Sequence, residues 1–150
     1  MPRFNHMELT LPKGALTEQR AEITKFYTEV FGFETLDVDI LKQTGLLIRT
    51  DPETSQFILV TEQRKHLSCP GFDHLGFLYD TRAEVDALLE ECQKRQEQDP
   101  RVELKLYDDL VTGPTTVRAF YVRFLLPIWF DVQCIEYEED QAPTRDWTFG

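Results

Sequence analysis

The sequence predicts an α+β fold in which one order of elements, a strand followed by a helix and several strands, is used twice. Two matching phrases, Phe4-Asn5-His6-Met7 and Phe72-Asp73-His74-Leu75, lie nearly half the chain length apart in a protein of 150 residues. Each phrase leads into an alternating apolar run and then a segment with helical periodicity. Self-similarity at a fixed offset indicates an internal duplication.

The first strand of each half is predicted to carry a histidine, His6 or His74, on the face opposite its apolar residues. Side chains alternate along a strand, so residues two apart share a face. We therefore expect the apolar sets to lie under the helices and both histidines to point into the cavity that the sheets enclose. The apolar sets are Met7, Leu9 and Leu11 in the first strand and Leu75, Phe77 and Tyr79 in the second.

The two helices have marked ends. The first is predicted over residues 17–31, with Thr17 as its N-cap and Gly32 as the left-handed residue that ends it. The second, over residues 81–96, begins with a threonine that can form a capping box with Glu84.

Further strands follow each helix. A turn over residues 51–55 separates strand-like segments at 46–49 and 57–60, which predicts a hairpin. In the second half, strand-like segments continue to about residue 138. The resulting division is a first module over 4–63, a linker over 64–71, a second module over 72–138, and a C-terminal tail over 139–150 in which Trp147 and Phe149 are apolar enough to dock.

The composition narrows the class of protein. A net charge of -11 and an isoelectric point near 4.7 argue against nucleic acid and anionic membranes as partners. No segment has the features of a signal peptide or the apolar length of a membrane span. The three cysteines, Cys69, Cys92 and Cys134, are odd in number and widely spaced. We expect a soluble, cytoplasmic protein.

The repeated strand and helix, together with the phrase Phe26-Tyr27-Thr28-Glu29-Val30-Phe31-Gly32-Phe33, resemble the vicinal oxygen chelate superfamily. That superfamily includes glyoxalase I, extradiol dioxygenases, methylmalonyl-CoA epimerase and fosfomycin-resistance proteins. The resemblance covers residues 4–138. It implies two paired βαβββ modules that form a cupped, partly closed mixed β-sheet with the helices on the outside.

The resemblance also implies a metal site formed by His6, His74 and a carboxylate near the end of the last strand. The segment Ile135-Glu136-Tyr137 is similar to the family's terminal I-E-L, so the carboxylate is assigned to Glu136. Two imidazoles and one carboxylate leave coordination positions open for substrate oxygens. This ligand set favours Fe²⁺ or Mn²⁺, with Zn²⁺, Ni²⁺ or Co²⁺ as alternatives.

A fourth ligand, which glyoxalase-like and epimerase-like members take from the first module, is replaced here by Leu59. A one-residue shift or a bulge could still bring Gln56 or Glu62 to the site. Glu138 shares a strand face with Glu136 and is an alternative carboxylate.

The sequence indicates the type of reaction less clearly than it indicates the metal ligands. Resemblance to the dioxygenases makes Tyr121 the candidate catalytic residue, a proton donor or substrate hydrogen-bond partner, although only one of Phe120 and Tyr121 can face the cup. Gly113 stands near the place of the expected histidine, and the segment 126–131 replaces a tight turn. Fosfomycin chemistry would need a basic lining, for which the strands offer Arg49, Arg118 and Arg123.

We therefore predict a divalent-metal-dependent dioxygenase, lyase or isomerase that chelates adjacent oxygens of a small organic substrate. The alternative is a metal-free protein that binds or sequesters a small molecule, as bleomycin-resistance proteins do. The sequence leaves open whether the modules pair within one chain or across a homodimer.

Overall fold

The computed structural model describes residues 4–51 and 56–142. Within these ranges the chain forms two helices and nine strands. The predicted turn residues 52–55 and the tail residues Trp147 and Phe149 lie outside the described residues. In chain order the elements are β1 (His6–Leu11), α1 (Ala15–Phe31), β2 (Glu34–Ile40), β3 (Gln43–Arg49), β4 (Phe57–Glu62), β5 (His74–Leu78), α2 (Arg82–Gln98), β6 (Glu103–Leu106), β7 (Leu110–Thr112), β8 (Thr115–Arg123) and β9 (Trp129–Tyr137).

The predicted α+β class and repeated order of elements are confirmed, with one difference in the sheet. The strands form two separate sheets, β1-β4-β3-β2 and β5-β9-β8-β6, and the short β7 pairs with β8. The first strand of each half lies parallel to the last, β1 to β4 and β5 to β9. The sheet is therefore not closed, and the second half has one more strand than the predicted module.

The start of α1 differs from the prediction. The N-cap is Gly14, at φ 91, with no side-chain cap, so the assignment of this role to Thr17 was wrong. Instead, the Glu62 carboxylate at the end of β4 accepts hydrogen bonds from the backbone N–H groups of Gly14 and Thr17, both at 2.8 Å. Burial acts to raise the pKa of Glu62, but these hydrogen bonds outweigh it and hold the pKa below its usual range.

The predicted end of α1, the predicted start of α2 and the hairpin are confirmed, whereas α2 continues to Gln98, beyond its predicted end. Gly32 ends α1 in the left-handed region at φ 71. Thr81 and Glu84 form the capping box of α2. Strands β3 and β4 pair in antiparallel orientation, with Leu46 opposite Val60.

One apolar core joins the two halves. Aromatic residues of α1 contact the second sheet: the Phe31 and Phe130 rings meet edge to face at 5.6 Å, and the buried Tyr27 hydroxyl donates a hydrogen bond to the Phe124 carbonyl at 2.9 Å. Each sheet packs its inner face against this core. Its other face, here called the open face, carries no helix from the described part of the chain. No helix among the described residues is long and apolar enough to cross a membrane.

Candidate active site

Three polar side chains form a row across the open face of the second sheet. Asp131 of β9 lies opposite Tyr121 of β8, and Tyr121 lies opposite Lys105 of β6. Their neighbours Phe130 and Phe120 are fully buried in the core. Because side chains alternate, the row therefore projects from the open face. This places Tyr121, rather than Phe120, on the exposed side of β8.

His74, at the start of β5, lies beside this row. Its Nε2 is 3.7 Å from the Asp131 carboxylate oxygen Oδ2, and its ring centroid is 4.7 Å from that of Tyr121. The Nδ1 atom lies 2.9 Å from the carbonyl oxygen of Phe72. Since a carbonyl only accepts, Nδ1 carries a proton, and Nε2 is the ring nitrogen directed toward Asp131.

Asp131 is a candidate site residue that the sequence analysis missed. It is 6% exposed, and its Oδ1 atom has no hydrogen-bond partner among the described residues. Burial raises the pKa of Asp131 against the lowering effect of nearby His74. A buried carboxylate oxygen without a partner is costly unless it binds a cation or a proton. The available sequence signal was an acidic residue among the apolar residues that begin the strand Trp129–Tyr137.

Glu136 lies away from this group. Residues 130, 132, 134 and 136 of β9 alternate onto the inner face, so Glu136 lies on the side of the sheet that faces α2. There its carboxylate accepts from Arg82 at 2.5 Å, and Arg82 also pairs with Asp109. The Arg82 guanidinium lowers the pKa of Glu136. The structure thus brings Asp131, and not Glu136, to His74, because β9 pairs with β8 without a bulge that would turn Glu136 over.

His6 stands on the other sheet. At the start of β1, its ring stacks on Phe57 at 4.9 Å, and its Nδ1 lies 2.7 Å from the Asn5 side-chain oxygen. Within residues 4–51 and 56–142, no three His, Cys, Asp or Glu side chains are close enough to hold a metal ion together. One chain therefore brings together His74 and Asp131 but does not bring His6 to them.

The alternative ligands have other contacts. Glu62 caps α1, as described above, and the Gln56 amide donates to the Phe4 carbonyl at 3.2 Å. Glu138 is exposed beyond the end of β9. Gly113, at φ 56, lies in the tight turn between β7 and β8.

The strand-borne arginines are each neutralised by a carboxylate. Arg49 pairs with Glu34 at 2.6 Å, Arg118 with Asp86 at 2.9 Å and Arg123 with Glu103 at 2.7 Å. These pairs do not provide the basic lining expected for a phosphonate.

Comparisons with known proteins agree with the fold. Residues 3–120 match the family model described as the Glyoxalase/Bleomycin resistance protein/Dioxygenase superfamily. A glyoxalase family protein from Bacillus anthracis has a similar structure, with a TM-score of 0.62 and 18% identity over 91% of this chain and 97% of that one. The fosfomycin resistance protein FosX from Listeria monocytogenes has a TM-score of 0.64 and 17% identity over 88% and 90% of the two chains. At these identities the structural likeness shows the fold alone. A search of curated proteins found no match.

Proposed function

The chain belongs to the glyoxalase/bleomycin resistance protein/dioxygenase superfamily, and on that premise we propose that it is a divalent-metal-dependent enzyme acting on a small substrate with adjacent oxygens. The observation that carries this proposal is the pair formed by His74 Nε2 and the buried Asp131 carboxylate, 3.7 Å apart. We propose Asp131, in place of Glu136, as the carboxylate ligand.

The chemistry of this pair fits a divalent ion. The hydrogen bond to the Phe72 carbonyl leaves the Nε2 lone pair of His74 available for a metal, and such an orienting contact is typical of metal-binding histidines. A cation would also satisfy Asp131 Oδ1, which has no partner among the residues described. Imidazole with carboxylate suits Fe²⁺ or Mn²⁺, and also Zn²⁺, Ni²⁺ or Co²⁺. A bound ion would act as a Lewis acid toward substrate oxygens.

Tyr121 is the proposed catalytic residue. Its ring packs against His74, so its hydroxyl stands on the same open face as the two proposed ligands. There it can donate a hydrogen bond, or a proton, to a substrate oxygen.

His6 is the proposed third ligand, contributed by a second copy of the chain. Within one chain it stands on the open face of the other sheet, and the open faces leave large apolar side chains uncovered. Phe4 is 58% exposed and Leu78 is 53% exposed. A homodimer that faces these surfaces toward each other would bury the apolar groups and complete the ligand set.

Metal binding is the direct test. Protein purified without chelator should contain a transition metal, and Mn²⁺ titration followed by electron paramagnetic resonance should give a dissociation constant. We expect Asp131→Asn to weaken Mn²⁺ binding at least about tenfold, whereas the matched control Glu136→Gln should leave it unchanged. Equal losses in both variants would exclude the new ligand assignment.

Absence of metal binding would instead favour a metal-free binding protein. If metal binds, oxygen uptake with a panel of catechols separates dioxygenase activity from isomerase or lyase activity.

A further inference from the structure

Lys105 lies at the end of the row of polar side chains that is formed by Asp131, Tyr121 and Lys105. Two aromatic rings, those of Phe72 and Tyr107, lie near its ammonium group and are here called the aromatic frame. The Lys105 Nζ lies 5.7 Å from the ring centroid of Phe72 and 5.6 Å from that of Tyr107. The rings of Tyr107 and Tyr121 are 4.9 Å apart, so the frame continues to the proposed catalytic tyrosine. Ammonium groups are attracted to aromatic faces, which restricts where Lys105 places its charge.

The Lys105 charge is uncompensated within the described part of the chain. No carboxylate there pairs with it, in contrast to Arg123, the other cation on this region of the open face, which pairs with Glu103. The Lys105 ammonium group is therefore available to bind an anionic ligand.

Two small residues, Gly76 and Ala119, leave room on the open face, one within the row and one on the side of the row away from His74. Gly76 lies opposite Asp131, and Ala119 lies opposite Gln133, all on the open face. A Cβ added at Gly76 would meet only the Gln133 amide nitrogen, at 3.6 Å. The Gln133 amide makes no hydrogen bond within residues 4–51 and 56–142 and remains available to a ligand.

The distance between Lys105 and Asp131 determines the size of a ligand that could contact both ends of the row. Lys105 and Asp131 lie on strands separated by one strand, so their backbones are about 10 Å apart. A molecule one aromatic ring across can place an anionic group near Lys105 and its opposite edge near His74 and Asp131.

We propose that the substrate is a small planar carboxylate, aromatic or conjugated, whose anionic group pairs with Lys105 and whose flat body lies against Tyr107 and Tyr121. The assignment of this anion as a substrate rests on the proposed enzymatic function. The anion contact itself does not require the metal.

The test compares three probes with protein freed of metal by a chelator. Benzoate is planar and anionic, benzyl alcohol is planar and neutral, and cyclohexanecarboxylate is anionic but not planar. Ligand-observed saturation-transfer NMR with titration should show that benzoate binds up to about fivefold more tightly than benzyl alcohol, since an exposed ion pair contributes up to about this factor. Benzoate should also bind more tightly than cyclohexanecarboxylate, because only the planar ring can stack on the tyrosines.

Variants separate the two kinds of contact. Lys105→Gln should abolish the preference for benzoate over benzyl alcohol, and Tyr107→Leu should abolish the preference for benzoate over cyclohexanecarboxylate. Lys42→Gln, which removes an exposed lysine in the turn between β2 and β3, should change neither preference.

Equal binding of all three probes, or a preference for benzoate that survives Lys105→Gln, would overturn the proposal. Metal analysis of the same preparation before chelation tests the proposed metal-dependent function separately. Failure of the metal test therefore does not decide the anion contact at Lys105, and failure of the anion test does not decide the metal-dependent function.

Discussion

Asp131 combines a stability cost with a proposed function. Its carboxylate is buried, has an oxygen without a partner among the described residues, and lies beside the His74 imidazole. Groups of this kind are retained at functional sites although they destabilise the unliganded fold.

We predict that Asp131→Asn stabilises the metal-free protein by about 1 kcal/mol, because it removes the cost of burying a charge. Excess Mn²⁺ should reverse the order, since the wild-type protein gains more binding free energy than the variant. Urea denaturation of the wild-type protein and Asp131→Asn at pH 7 measures both stability differences, first with chelator and then with Mn²⁺. A variant that is less stable without metal would indicate a structural role for Asp131.

Residue-level prediction from the sequence was partly successful. The contact of His74 with Tyr121 follows from strand alternation once Phe120 is known to be in the core. The carboxylate that lies beside His74 could not be predicted in the same way. Family resemblance pointed to the I-E-L-like end of β9, whereas pairing with β5 places Asp131 beside His74.

Among the elements, α1 depends on a residue that is distant in sequence. Glu62 ends β4, and its carboxylate accepts from backbone N–H groups at the start of the helix. This contact replaces a local side-chain cap and ties the helix to the parallel pair of strands β1 and β4.

We predict that Glu62→Gln lowers the free energy of unfolding by about 0.5 to 1 kcal/mol at pH 7, as loss of a cap does. Glu139→Gln, at an exposed carboxylate beyond β9, should have no measurable effect. Chemical denaturation of both variants checks this, and equal effects would contradict the capping role.

The same contact predicts a pH dependence. The pKa of Glu62 in the folded state lies below its ordinary value of 4.5. Its stabilisation is therefore fully present above that value and is lost as the pH falls through the folded pKa. The stability difference between the wild-type protein and Glu62→Gln should shrink as the pH is lowered below 4.5. A difference that stays constant across this range would rule out the ionised carboxylate as the cap.

At the scale of the whole molecule, the two halves are joined by the core around Tyr27. Burial raises the pKa of the Tyr27 hydroxyl far above its ordinary value, and the hydroxyl donates to the Phe124 carbonyl. We predict that Tyr27→Phe lowers the free energy of unfolding by about 1 to 2 kcal/mol, because the buried carbonyl loses its donor.

The control is Tyr79→Phe, since the Tyr79 hydroxyl has no hydrogen-bond partner in the described part of the chain. Thermal or urea unfolding should show a smaller change for this variant. An equal loss would mean that the bond between the halves contributes little.

The proposed homodimer predicts complementation between two defective variants. His6→Ala and His74→Ala should each bind metal poorly. If each site takes His6 from one copy and His74 from the other, mixing equal amounts with subunit exchange should restore about a quarter of the sites. Mn²⁺ titration of the mixture measures this, and no recovery after proven exchange would exclude a shared site.

The sequence by itself determined the duplication, the end of α1, the start of α2, and the faces of β1 and β5. These features depend on local periodicity and capping, which a few neighbouring residues encode. Only the tertiary structure decided that Asp131 lies beside His74, that Glu136 faces α2, and that Glu62 caps α1. Each of these contacts joins residues more than forty positions apart, so it depends on strand register and helix packing rather than on any local pattern.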